Sequence, residues 1–175
     1  MTVETLAKCL PYANATSIER YGFKLLEAME AYDINTQRRQ AAFIAQIAHE
    51  SGSLRYVREL ASGEAYEGRV DLGNTEPGDG VRFKGRGLIQ ITGRANYKAI
   101  SAALAYDFVA HPEDLELPGP ACFSAAWFWN ARQLNRLADI DAFEKITKKI
   151  NGGLIGYEDR CKHWETALQA LKVII

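Results

Sequence analysis

The sequence predicts a mainly α protein, and three observations carry that expectation. Apolar residues recur at helical spacing along most of the chain, start and stop residues bracket those stripes, and only one long segment breaks the period. Ile18, Tyr21, Leu25, Met29 and Tyr32 form the first stripe. Phe43 and Ile47 belong to a second helix, which Thr36 is placed to cap because its hydroxyl can accept from a first-turn N–H. Tyr97, Ile100 and Leu104 mark a third, which must stop before His111-Pro112. Between Ala121 and Ala131 the pattern (Phe123, Trp127, Phe128, Trp129) is apolar nearly all round, as in a helix enclosed at the centre of a domain. Ile140, Phe143 and Ile150 fit a further helix, and Trp164, Ala167, Leu168 and Leu171 a last one.

A chain of 175 residues matches a single domain, residues 1–175, long enough to bury a core, and no repeat or linker divides it. Lys and Arg number 21 against 22 Asp and Glu, so the charge of -1 offers no field for holding nucleic acid. No apolar run approaches the roughly 18 residues of a membrane span. Met1-Thr2-Val3-Glu4-Thr5-Leu6 lacks the basic start and apolar run of a secretory signal. Cys9, Cys122 and Cys161 are odd in number and far apart, so they are expected as reduced thiols, two of them in the core.

The irregular segment runs from Ser62 to about Gly87 and holds seven glycines. Unstructured segments of this length in a small domain are usually functional or disordered. Residues 59–80 carry six acids and one base, while residues 82–98 carry five bases and no acid. The two stretches either pair with each other and with solvent, or form a polar cleft wall followed by a short hairpin near Phe83 to Thr92.

Most chemistries are excluded by what is missing. His49-Glu50 lacks the second histidine of a zinc-protease helix, since position 53 is Ser53. His111 and His163 have no short-range partner, so no metal site is expected. Gly85-Arg86-Gly87 is not continued into a phosphate loop, and no GxSxG elbow exists. Cys122 lies in the apolar helix and is expected to be inert. Carboxylates remain, and glycoside hydrolysis needs two of them. Glu50 ends the helix that begins near Thr36, where the negative end of the helix dipole favours a protonated carboxyl, with Ser51-Gly52 as the stop. Arg55 and Arg58 would oppose that effect. On these facts alone the favoured reading of Glu50 is a surface residue that merely ends a helix.

Three motifs go further. Ala42-Phe43-Ile44-Ala45-Gln46-Ile47-Ala48-His49-Glu50-Ser51-Gly52 resembles the acid-bearing block of family 19 glycoside hydrolases, the plant-type chitinases and related phage endolysins. Gly85-Arg86-Gly87-Leu88-Ile89-Gln90-Ile91-Thr92, continuing to Asn96-Tyr97, is similar to the family's GRG segment, and Ile150-Asn151-Gly152-Gly153-Leu154 to its NGG motif. The resemblance implies a lysozyme-like, two-lobed helical fold with an irregular or hairpin region beside the cleft, inversion at the anomeric carbon, and no cofactor. It further implies that Glu50 is the general acid, that Thr92 holds the catalytic water, and that His49, Gln90, Asn96, Tyr97 and Asn151 line the sugar site.

The second carboxylate departs from the plant-type pattern, because the equivalent stretch holds Leu72 rather than an acid. Glu59 is nine residues after Glu50, on the opposite face of any continuous helix, so Gly52 must break the helix for the two to face each other. The run from His49 to Leu60 and the stretch Tyr66-Glu67-Gly68-Arg69-Val70-Asp71-Leu72-Gly73-Asn74 resemble the endolysin branch. Glu59 is the favoured base and Glu67 its rival. The expected function is a monomeric muramidase that cuts the β-1,4 bond between N-acetylmuramic acid and N-acetylglucosamine in peptidoglycan. It would be made in a host cytoplasm and reach the periplasm through a holin-type partner. A chitinase of the same family, or an inactive sugar-binding module, are the alternatives.

Overall fold

The computed structural model describes residues 1–173. Each early helix starts on a side chain able to satisfy an orphan N–H of the first turn. Thr2 Oγ1 accepts from Thr5 N at the head of α1 (Val3–Cys9), Asn14 Oδ1 from Ser17 N at α2 (Ala15–Ala31), and Thr36 Oγ1 from Arg39 N at α3 (Gln37–Glu50). Two single 3₁₀ turns (Glu64–Tyr66 and Val70–Leu72) and the short α4 (Asp79–Arg82) punctuate the long irregular segment. Then follow α5 (Arg94–Leu104), a 3₁₀ turn (Pro112–Glu116), α6 (Pro118–Ala131), α7 (Leu134–Ala138), α8 (Phe143–Asn151) and α9 (Tyr157–Ala170). Among the described residues no helix is long and apolar enough to cross a membrane.

α3 packs along α9, and α2 along α6. The two pairs meet where Phe43 of α3 stands edge-on to Trp129 of α6, with ring centroids 5.3 Å apart and both rings fully buried. Truncating an aromatic in such a position costs about 3–5 kcal/mol. Every residue from Gln40 to Ala48 is buried, which makes α3 the enclosed helix of the fold. That corrects the expectation for α6. Its inner face is Ala121, Cys122, Ala125, Ala126 and Trp129, while Phe123, Trp127 and Phe128 are half-buried on the other side. Small residues inside let α6 approach α2 closely, and the large rings roof its outer flank.

Two further expectations are refined. Ile140 is 69% exposed in the turn between α7 and α8, so the helix assigned to it starts only at Phe143. The hairpin expected from Phe83 to Thr92 is reduced to isolated bridges, Arg58 with Arg86 and Arg86 with Ile91. Reciprocal bonds join Arg86 and Ile91 (3.1 and 2.7 Å), and Gly93 N reaches Phe83 O (2.8 Å), but Gly87 N turns away to Val57 O. Backbone donors are thus shared between neighbours on two sides, which prevents a regular ladder. Cys9 and Cys122 are buried and Cys161 half-buried, all three as free thiols.

Candidate active site

Glu50 is the last residue of α3, and the helix ends there for a local reason. Ser51 Oγ donates to Ile47 O (2.6 Å) and accepts from Leu54 N (2.8 Å), while Ser51 O receives Arg55 N and Tyr56 N. Gly52 adopts φ +56°, and the chain reverses. One oxygen of Glu50, Oε1, accepts from Arg160 Nη2 on α9 at 2.6 Å. Arg160 is buried, and its other arm donates to Gln46 Oε1, one turn back on α3. Gln46 in turn donates from Nε2 to Thr147 Oγ1 of α8 (2.9 Å). The cation at Glu50 is therefore Arg160; Arg55 and Arg58, expected to act on it, make no ion pair with it. That bond fixes Oε1 and orients the carboxyl.

Glu59 is held differently. Its Oε1 accepts from the Tyr66 hydroxyl (2.8 Å) and its Oε2 from Gly85 N (3.0 Å), while its backbone N–H donates to Gly85 O. Among the described residues no cation touches it at bonding distance. Burial, together with the bond to Glu59, holds the Tyr66 hydroxyl above its usual range, so it stays a donor. Gly85 allows a close approach: a Cβ there would stand 2.7 Å from Gln90 Oε1 and 3.2 Å from Glu59 Oε2, and would displace those side-chain ends. The GRG segment thus brings Glu59 and Gln90 together. Gln90, at φ +55°, donates to Gly87 O (3.0 Å). Thr92 Oγ1 donates to Gln90 O (3.0 Å), and Asn96 Nδ2 to Thr92 O (2.7 Å).

Glu67 is fully engaged in its own loop. Oε1 accepts from Gly78 N (2.7 Å) and Oε2 from Gly80 N (2.8 Å), which staples the irregular segment to the start of α4. Its neighbours share that work: Arg94 pairs with buried Asp79 and with Glu76, and Asn74 bonds Tyr66 O and Arg94 N. The acidic and basic stretches therefore pair in part, and among the described residues Glu59 takes no cation from them.

Tyr97 requires a correction. It is 0% exposed, with its hydroxyl donating to Lys84 O (2.8 Å) and accepting from Arg86 Nη1 (3.0 Å). Burial pushes that hydroxyl up to about 12 against the opposing pull of Arg86. It buttresses the GRG segment from beneath and does not line a sugar site. Asn151 ends α8 with a buried, unbonded Nδ2. His49 donates from Nδ1 to Asp159 Oδ2 at 2.7 Å. Burial pushes the Cys122 thiol well up, which leaves it inert. Among the described residues no group of three His, Cys, Asp or Glu is arranged to hold a metal.

The residues that sequence reasoning missed are the holders: Arg160, Asp159, Tyr66 and Gln46. Arg160 lies 110 positions from Glu50. The only available signal was a basic residue on the apolar-striped last helix, which is ordinary on its own.

A helical domain with one glutamate ending a buried helix and a second on the segment that follows has the parts of a carboxylate glycosidase. Residues 22–152 match the chitinase class I family model of glycoside hydrolase family 19, and the chain belongs to that family. A glycosyl hydrolase family 19 domain-containing protein of Haemophilus influenzae is 35% identical, over 70% of this chain and 75% of its own. An endochitinase of Arabidopsis thaliana is also 35% identical, but this chain spans only 44% of its length. Among solved structures, chitinase C from Streptomyces griseus superposes with a TM-score of 0.81 at 25% identity, covering 98% of this chain and 76% of that one. A bacterial family 19 chitinase gives 0.81 at 25% identity over 99% and 95%. The mostly helical, lysozyme-like architecture and the glycoside hydrolase class are those of these relatives.

Proposed function

We propose that this glycoside hydrolase is a peptidoglycan-cleaving muramidase of the endolysin type. The observation that carries this reading is the segment from His49 to Asn74. There Glu59 follows Glu50 across a single stapled turn and is held by neutral donors alone, while Leu72 stands where the plant-type pattern has an acid. Glu50 donates a proton to the leaving glycosidic oxygen as that bond breaks. Glu59 takes a proton from the attacking water. The Thr92 hydroxyl hydrogen is committed to Gln90 O, so Thr92 offers the water only lone pairs. A water that donates to both Glu59 and Thr92 keeps its own lone pair for the anomeric carbon, which is the requirement of a direct, inverting displacement. Gln90, Asn96 and Asn151 would contact the sugars. A monomer that reaches the wall from the cytoplasm through a holin-type partner fits this role.

The second reading, hydrolysis of chitin, is favoured by the names of the relatives, several of which are endochitinases. Mass analysis of digests separates the two. Purified peptidoglycan should yield fragments with muramic acid at the new reducing end. Reducing-end glucosamine, or release from chitin oligomers with no cleavage of peptidoglycan, would replace the proposal by a glucosaminidase or a chitinase respectively.

A further inference from the structure

Helices α3 and α9 are joined by an ion pair and a hydrogen bond of opposite sense. Glu50 meets Arg160, and one residue earlier on each helix His49 meets Asp159. The second pair opens onto a cavity of about 400 Å³ that also takes in Tyr12, Arg55, Lys162 and His163. Ala48, His49, Gly52 and Ser53 line it and flank Glu50 in sequence, so the cavity opens at the C-terminal end of α3.

The cavity has a fixed floor. Asp159 Oδ2 accepts from His49 Nδ1 at 2.7 Å and stands 3.5 Å from His163 Nε2. The His49 bond, aided by the charge of nearby bases, keeps Asp159 below the usual carboxylate range, so this acid is ionised and already partnered. Burial holds His163 below its usual range, which keeps it neutral near pH 7. The loop after α8 closes directly on the imidazole of His49. A Cβ on Gly156, at φ +70°, would stand 2.3 Å from His49 Cε1, so only glycine allows this seat.

The rim carries two cations, Arg55 and Lys162. Among the described residues Arg55 pairs with no carboxylate and lies against the Tyr56 ring. Lys162 pairs with Glu158, at 69% and 86% side-chain exposure, and such an exposed pair holds its cation weakly. Arg55 is thus the rim cation with no carboxylate of its own, and Lys162 can be shared between Glu158 and a ligand. A chain of N-acetylated sugars is uncharged and has no use for them. A muramic acid carrying a lactyl-linked peptide does, because its short peptide bears carboxylates within reach of the sugar. We propose that this cavity binds a carboxylate of the stem peptide attached to the muramic acid seated beside Glu50, with Arg55 and Lys162 as its partners. The assignment rests on the muramidase reading above and supplies it with a basis for choosing peptidoglycan over chitin.

The test compares intact peptidoglycan strands with the same strands stripped of peptides by an amidase, using the full chain and an Arg55→Gln/Lys162→Gln double variant. The wild type should show a kcat/KM about tenfold higher on peptide-bearing strands, the equivalent of roughly 1.4 kcal/mol. The double variant should lose that advantage through KM, keep its rate on stripped strands, and keep its Tm. Charge reversal at Arg55→Glu should deepen the loss on peptide-bearing strands alone. Equal wild-type rates on both strands, or a loss in the variants that is the same on both, would overturn the cavity assignment while leaving the muramidase reading intact. Cleavage of chitin oligomers with neither strand cut would overturn the muramidase reading itself, and the cavity assignment with it.

Discussion

The two walls that carry the candidate carboxylates are built on opposite plans. The Glu50 wall is regular helix, α3 against α9, and its glutamate is gripped by a buried guanidinium at the end of a side-chain chain that runs through Gln46 to Thr147. The Glu59 wall has almost no regular structure and is knitted by side chains onto backbone N–H groups, as at Glu59 with Gly85 and Glu67 with Gly78 and Gly80. The difference teaches how one small domain can give two like groups unlike settings. A full charge and helix packing orient one carboxyl, and neutral donors hold the other.

The largest test of that contrast is substitution of the carboxyls themselves. Glu50→Gln should lower turnover by about 10²–10⁴-fold with the fold intact, since general acid catalysis is typically worth that much. Glu59→Gln should cost a comparable amount, whereas Glu67→Gln should retain most activity and show itself as faster proteolysis of the 60–82 segment. Near-normal turnover in Glu59→Gln with loss in Glu67→Gln would reverse the two loop glutamates. Full activity in Glu50→Gln would sink the acid–base scheme, as read by release of reducing ends.

Removing the grip on the helical wall should come next. Arg160→Met strands the Gln46 and Glu50 acceptors, and a buried group left unpaired costs about 1–3 kcal/mol. The expected result is a lower Tm together with a fall in kcat larger than the change in KM. An unchanged kcat would show that Arg160 only braces the helices.

The smallest effect is expected on the knitted wall, in acid. The bond from Arg94 holds the Asp79 carboxyl below its usual range. A depressed carboxylate contributes stability that is present above its unfolded pKa, near 4, and is lost as pH falls through the lower folded value. Wild type should therefore lose local stability only below about pH 4, and Asp79→Asn should flatten that part of the pH–Tm curve. Curves of identical shape in the two proteins would mean that the Arg94–Asp79 pair contributes nothing there.

Much of this was legible in the sequence. Helical stripes and the Thr36 cap located α2, α3, α5 and α9, because spacing and capping are local properties that a single segment displays. The Gly52 break was required by the nine-residue step from Glu50 to Glu59 and is present. What escaped were partnerships across the chain. Tyr97 directly follows Asn96 in the motif, yet a helix turns each successive residue by about 100°, and that rotation buries Tyr97 while Asn96 stays exposed. Phe128 and Trp127 looked central because apolarity alone does not say which face of a helix meets another. Arg160 and Asp159 carry no local signature at all, since their roles exist only once α9 lies on α3.

That last dependence orders events in time. The residues resembling the acid block, the GRG segment and the NGG motif all emerge from a ribosome before Arg160, which follows Glu50 by 110 positions. At roughly 5–20 residues per second, synthesis leaves Glu50 without its guanidinium for several seconds after it is made. A nascent or prematurely stopped chain can hold every recognisable motif and still present a misaligned acid. Docking of α9 onto α3 is thus the step that brings the guanidinium to Glu50.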